Sequence, residues 1–387
     1  MKRLLLTLLC SALAALPLPA QITVGAAQFD AYIPMLQGKR VGVTANHTSI
    51  VDGGAHLIDE LLQRGVQVAR IYAPEHGFRG TADAGAHIRT GKDEATGLAV
   101  VSLYGKTRKP TPEQLRGIDC MVFDMQDVGL RFFTYLSTLH YVMEACAEQG
   151  IPLILLDRPN PNGFYVDGPV LQPEHRSFVG MHPIPVVHGM TLGELANMIN
   201  GERWLNAGIQ CRLTVIPCLG YTHRTLYELP VQPSPNLPNM QAVYLYASLC
   251  FFEGTAVSLG RGTAFPFQTF GHPAFKGAYR FSFVPKPTAG AADPPLKGDT
   301  CYGIDLRRFP PTTLTADGRL RLEWLLDAYR RFDRKDRFFT PYFSKLWGTA
   351  HIQTLIVQGA TEAEIRACWA DDVRAFCLKR EKYLRYK

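Results

Sequence analysis

The sequence predicts an α/β protein, a parallel-sheet domain followed by a smaller α+β domain. Three observations carry that reading. The chain has 387 residues with 47% hydrophobic, 11% aromatic and 19% charged side chains, a globular composition that sets aside disordered, collagen-like and coiled-coil classes. At this length one core is normally outgrown, so two domains are expected. From Gly38 to about Thr214 short apolar runs alternate with helix-like stretches, and strand–helix–strand alternation builds a parallel sheet through right-handed crossovers.

The strand candidates are Arg40–Thr44, Val66–Tyr72, Ala99–Leu103, Cys120–Phe123, Leu153–Leu156 and Arg212–Ile216. Most are nearly continuous in Val, Ile and Leu, as expected of strands covered on both faces. Helix candidates between them are Ala55–Arg64, Pro112–Arg116, Thr134–Gln149 and Thr191–Asn200, the last opened by a Thr191/Glu194 capping box. A proline-rich stretch then runs from Leu229 to Met240, either a linker or an ordered loop feeding a site. Beyond it Tyr279–Val284 reads as strand, and Leu320–Phe332 and Glu362–Tyr383 read as helices. The expected division is a leader over 1–20, a catalytic parallel-sheet domain over 21–230 and a smaller domain over 231–387.

The leader is expected because Lys2 and Arg3 precede an apolar run from Leu4 to Leu16, with Ala20 where a signal peptidase would cut. The run is too short to span a bilayer, so the expected location is periplasmic or secreted. Lys and Arg exceed Asp and Glu by 41 to 34, but no run of five or six like charges marks a nucleic-acid arm. Cys10 leaves with the leader. The other eight cysteines include no Cys-x-x-Cys pair, which argues against a zinc ribbon while permitting disulfides.

The polar residues gather after the strands. Asn46-His47-Thr48 follow the first strand and Pro74-Glu75-His76-Gly77-Phe78-Arg79-Gly80 the second. Tyr104-Gly105 follow the third, Asp124, Gln126, Asp127 and Arg131 the fourth, and Asp157-Arg158-Pro159-Asn160 the fifth. In an open parallel sheet these positions share one edge, where ligands bind. Charges there are partly desolvated and need partners, so an active site is the favoured reading. Each has a plainer alternative. Glu75 is also a capping residue, His76 also a structural imidazole, and one of Asp124 and Asp127 is expected to pair with Arg131 or Arg158. Asn160 sits in a turn-forming Asn-Pro repeat.

No Gly-x-Gly-x-x-Gly or Walker A loop follows the first strand, and no Gly-x-Ser-x-Gly elbow occurs. His76, His87, Asp124 and Asp127 are metal-ligand types without metal-ligand spacing, so no cofactor is expected. What remains is carboxylate chemistry with cations and amides around it, the usual equipment of glycoside hydrolysis. Further on, Phe252-Glu253-Gly254 and Gly260-Arg261-Gly262 suggest a tight loop approaching an anion.

Taken together, the segments Pro74–Gly80, Ser102–Gly105, Phe123–Gly129, Leu156–Pro161, His188–Thr191, Pro233–Pro238 and Gly260–Thr263 resemble the DUF1343 family, exo-acting β-N-acetylmuramidases of the NamZ type. The resemblance implies a Rossmann-like N-terminal domain holding the site. It also implies release of N-acetylmuramic acid from the non-reducing end of peptidoglycan fragments, with Glu75 as the principal carboxylate. Asp167 stands where the family pattern has Glu before Gly-Pro, and Gln232 interrupts its aromatic character before Pro-Ser-Pro-Asn.

For such a substrate Asp124 or Asp127 is the expected second catalytic group, assisted by His76. Arg79, Arg131, Arg158 and Arg261 are candidates for its lactyl carboxylate, and Phe78, Tyr104, Phe133 and Tyr135 for a ring platform. Asn46, Gln126, Asn160, His188, Asn236 and Glu253 complete the expected substrate contacts. The competing readings are a muropeptide receptor, another cell-envelope hydrolase and a peptidoglycan-associated structural protein.

Overall fold

A computed structural model describes residues 21–80 and 91–387; the leader 1–20 and His87 lie outside them. The N-terminal part holds β1 (Arg40–Ala45), β2 (Gln67–Ala73), β3 (Gly91–Lys92), β4 (Ala99–Ser102), β5 (Cys120–Asp124), β6 (Leu153–Leu156) and β7 (Leu213–Ile216) in one sheet ordered β3-β4-β2-β1-β5-β6-β7. All neighbours are parallel except β3, which runs antiparallel to β4. All six expected strands form, within a residue or two of their expected ends. The connection leaves β1 for β2 on one side and later returns to β5 on the other, so the strand order reverses between β1 and β5.

Both faces of the sheet are covered, which explains its apolar strands. On one face α1 (Phe29–Leu36) and α2 (Leu57–Gln63) bury Tyr32, Leu36, Leu57, Ile58 and Leu61 against Val41, Val43, Ile71 and Val122. On the other lie α3 (Pro112–Leu115), α4 (Tyr135–Gln149) and α5 (Leu192–Gly201). Thr191 caps α5 through the expected box, accepting from Glu194 N while the Glu194 carboxylate accepts from Thr191 N.

The smaller domain begins with α6 (Met240–Leu249). It contains an antiparallel sheet of β8 (Thr269–His272), β9 (Phe281–Phe283) and β10 (Cys301–Asp305), ordered β8-β10-β9. After it come α7 (Pro311–Asp317), α8 (Glu323–Arg331), α9 (Tyr342–Trp347), α10 (His351–Val357), α11 (Glu362–Ala367) and α12 (Ala370–Arg380). The helix expected over Glu362–Tyr383 is thus two helices and a final 3-10 turn. It breaks at Trp369 (φ −119°, ψ 0°), whose indole is buried with its Nε1–H donating to Asp167 at 2.9 Å.

The core behind α4 and α5 continues without interruption into Phe251, Phe270, Phe343 and Trp347 of the smaller domain. The chain end then returns to the large sheet. Tyr386 Oη–H donates to Asp157 at 2.6 Å, Arg385 N–H to Glu194 at 2.7 Å, and Arg380 to the carbonyls of His188 and Gly189. Asp167 is a second tie, accepting from Leu320 N and Arg366 as well as Trp369. None of the described cysteines is joined in a disulfide.

Candidate active site

A cavity of about 800 Å³ opens beyond β2 and β4, walled on one side by the smaller domain. Glu75, His76, Tyr104, Thr134 and Tyr135 line it from the parallel-sheet domain. Asn236, Glu253, Arg261, Tyr342 and Lys345 line it from the later half of the chain.

Glu75 lies two residues past the end of β2, in a turn closed by Gly77 N–H donating to the Pro74 carbonyl at 3.0 Å. The third residue, His76, has φ 67°, the left-handed region a type II turn requires there and an uncommon one for a side chain larger than glycine. Two hydroxyls hold the Glu75 carboxylate. Thr134 Oγ1–H donates to its Oε2 at 2.7 Å, and the Tyr104 phenol hydrogen-bonds it as well. Burial, reinforced by the Glu75 charge, pushes the Tyr104 phenol well above its usual range, so it remains a proton donor at neutral pH. Tyr342 is pushed up by burial and then by the charges of Glu253 and Glu75. Its ring therefore lies within the field of both carboxylates.

On the later half, Arg261 Nε–H donates to Glu253 Oε1 at 3.0 Å and a second guanidinium N–H reaches the same oxygen. The proline-rich stretch is an ordered loop that feeds the cavity, not a linker. Ser234, Asn236 and Leu237 line the space, and Asn236 Nδ2–H donates to the Gly290 carbonyl at 2.9 Å.

Phe133, an expected platform ring, also lines the cavity, packed edge-on against Tyr135; the remaining expected residues do not. Asp124 and Arg158 form a buried ion pair, at 2.5 and 2.8 Å, beside the β1/β5 reversal. Asp127 accepts from Gly129 N at 2.6 Å, and burial pushes its pKa up to about 7 against the opposing pull of the Gly129 and Val128 N–H groups. Asn46 donates to the Tyr135 phenol at 2.7 Å and accepts from Thr48. Gln126 donates to the carbonyls of Asp127 and Pro159, and Asn160 donates to that of Met190. Gly129, at φ 79°, must be glycine because a Cβ there would meet Asn160 Oδ1 at 2.0 Å.

Arg79 is half exposed and bidentate on Asp93. His188 is buried, accepts from Met190 N, and is held down to about pKa 3 by burial and nearby arginines. Phe78 packs edge-on against His56 instead of forming a platform. Arg131 is buried, pairs with no carboxylate among the described residues, and donates to the carbonyls of Pro169, Ile184, Leu346 and Trp347 at 2.6 to 3.0 Å. Burial lowers its pKa to about 9, which leaves it cationic at neutral pH. It is a strut from the parallel-sheet domain to the end of α9.

Sequence reasoning missed Thr134, Arg108, Tyr342 and Lys345, which line the cavity. Arg108 lies four residues past Tyr104, so a longer window after the third strand would have caught it. Tyr342 and Lys345 sit on a short helix with no motif. Among the described residues no three His, Cys, Asp or Glu side chains converge as a metal-holding group.

Comparison with known proteins agrees along most of the chain. Residues 41–241 match the N-terminal model, and residues 244–386 the C-terminal model, of the exo-β-N-acetylmuramidase NamZ. The peptidoglycan β-N-acetylmuramidase NamZ of Bacillus subtilis strain 168 is 37% identical over 373 residues, covering 92% of this chain and 89% of its own. A crystal structure of a DUF1343 family protein from Bacteroides fragilis superposes with TM-score 0.88 at 46% identity. It covers 95% of this chain and 99% of that one. A second such protein from the same organism gives TM-score 0.78 at 30% identity, with the same coverages.

Proposed function

The chain belongs to the NamZ family of exo-β-N-acetylmuramidases, and on that premise we propose that it is a glycosidase removing N-acetylmuramic acid from the non-reducing ends of peptidoglycan fragments, with Glu75 as the principal catalytic carboxylate. The observation that carries the reading is the placement of Glu75. It is presented on a turn at the sheet edge, inside the large cavity, with its carboxylate oriented by Thr134 and Tyr104. A glycosidic oxygen must gain a proton as it leaves, and a positioned carboxyl group supplies it. Glu253, paired with Arg261, and Asp293, paired with Lys297, are the lining carboxylates in the later half of the chain. Glu253 takes the second catalytic position more readily than Asp124 or Asp127 because it lines the cavity and they do not, and more readily than Asp293, whose side chain is largely open to solvent.

The leader-like segment 1–20 supports export of the chain, which mass spectrometry of the mature N-terminus checks: an intact Met1 on protein from the envelope fraction would remove that part of the reading.

The deciding experiment is release of 4-nitrophenol from its β-N-acetylmuramide and β-N-acetylglucosaminide by wild type and Glu75→Gln. The expected result is release from the muramide only, falling roughly 100- to 10,000-fold in the variant. A variant of full activity would remove Glu75 from its role. Absence of turnover with muropeptide binding intact would turn the reading to a receptor.

A further inference from the structure

The arginines expected to hold an anionic substrate are engaged within the protein. Arg79 is on Asp93, Arg158 on Asp124, Arg131 on four carbonyls, and Arg261, though it lines the cavity, on Glu253. The cavity nevertheless has two further cations, Arg108 and Lys345. Neither enters any ion pair among the described residues, and both are exposed.

Arg108 is already oriented. Its guanidinium lies 4.4 Å from the centroid of Phe178, and that segment is pinned by Ser137 Oγ–H donating to the Phe178 carbonyl at 2.7 Å. A guanidinium resting on an aromatic face keeps its N–H edge available for a two-point contact with a carboxylate. Lys345 comes from the other domain, on α9. The next two carbonyls, of Leu346 and Trp347, are gripped by Arg131, so the strut also fixes where this ammonium enters the cavity.

We propose that Arg108 and Lys345 form a subsite for a carboxylate carried by the substrate, one cation from each domain. The inference rests on the muramidase reading, which makes the ligand a sugar with a pendant acid. That acid is either the lactyl ether carboxylate itself or a carboxylate on a peptide attached to it. The two sources share one chemistry and are separable.

Calorimetric titration tests the proposal on the full protein, Arg108→Gln, Lys345→Gln and the double variant. The ligands are free N-acetylmuramic acid, its lactamide (carboxylate replaced by a neutral amide) and N-acetylmuramyl dipeptide. Wild type should bind a carboxylate-bearing ligand about tenfold more tightly than the lactamide. Each single variant should narrow that ratio and the double variant should abolish it. A preference for the free acid identifies the lactyl group, and one for the dipeptide alone identifies the stem. The proposal is overturned if wild type shows neither preference, or if the double variant keeps it. The nitrophenyl muramide assay separates the layers. No turnover together with a preference lost in the double variant removes the hydrolase reading and leaves the subsite, whereas normal turnover with an undiminished preference removes the subsite alone.

Discussion

Beyond β2 and β4 the sheet edge turns Glu75, His76 and Tyr104 into the cavity. Beyond β1, β5 and β6 the same edge folds Asn46, Asp124, Asp127, Arg158 and Asn160 into a buried polar lattice outside it. The two stretches are alike in composition and in position relative to their strands, and they differ in what lies over them. The loops after β1, β5 and β6 close on one another at the strand-order reversal, so their charges pair inside protein. Those after β2 and β4 face the smaller domain across open space. Strand ends locate a polar edge. The partner domain decides which part of that edge remains open to a ligand.

The comparison breaks first if the lattice is not structural. Asp124→Ala leaves the Arg158 guanidinium buried without its carboxylate, and such a loss costs about 3–5 kcal/mol. Urea unfolding should show a correspondingly earlier midpoint. A loss below about 1 kcal/mol, accompanied by lost turnover in folded protein, would return Asp124 to the catalytic side.

Arg131→Met tests the strut between the two regions. Four carbonyls lose their donor, and even with partial solvent rescue we expect about 3 kcal/mol of destabilisation. Arg131→Lys should recover only part of it, because an ammonium lacks the planar fork that reaches four acceptors. Full recovery by lysine would mean that charge alone, not the fork, holds the end of α9.

On the open side, Thr134→Val removes one hydroxyl from Glu75 while nearly preserving shape. We expect kcat/KM on the nitrophenyl muramide to fall about tenfold, the value of one hydrogen bond to a charged group, with a shift in the pH profile and stability nearly unchanged. An unchanged pH profile with reduced stability would place Thr134 on the scaffold side instead.

Much of this was legible in the sequence. Continuous Val/Ile/Leu runs gave the parallel strands because both faces are buried, and the Thr191/Glu194 spacing gave a helix start because the box satisfies two end N–H groups locally. Glu75, His76, Tyr104, Phe133, Tyr135, Asn236, Glu253 and Arg261 are expected from sequence and do line the cavity. The expected pairing of one of Asp124 and Asp127 with an arginine is the Asp124–Arg158 ion pair, whereas nothing local distinguishes Arg131 from a ligand contact, since a guanidinium at a strand end has the same local sequence whether it meets a ligand or four carbonyls. Tyr342 and Lys345 carried no signal, because their place depends on a tertiary contact more than 200 residues away. The single long helix expected after Glu362 failed for the same reason, its break being set by the contact of Trp369 with Asp167.

The finest test sets two buried scaffold groups against each other by pH. Asp127 is raised to about 7 by burial, above an unfolded value of about 3.9. Folding therefore tightens its proton, and the stability it contributes is present below about pH 4 and fades as pH rises through 7. His188 is lowered to about 3, chiefly by burial. Its contribution is present above the unfolded value of about 6.5 and is lost as pH falls toward 3. In Asp127→Asn, stability relative to wild type should climb between pH 4 and 7, by at most ~1.4 kcal/mol per pH unit for one proton. The two windows overlap between about pH 4 and 6.5, where the contributions offset, so His188→Gln should lose the acid-side decline and show the Asp127 fall in stability uncancelled as pH rises toward 7. If Asp127→Asn instead left that slope untouched and abolished turnover, Asp127 would titrate with the reaction and not with folding, and the boundary between open edge and lattice would have to be redrawn to include it.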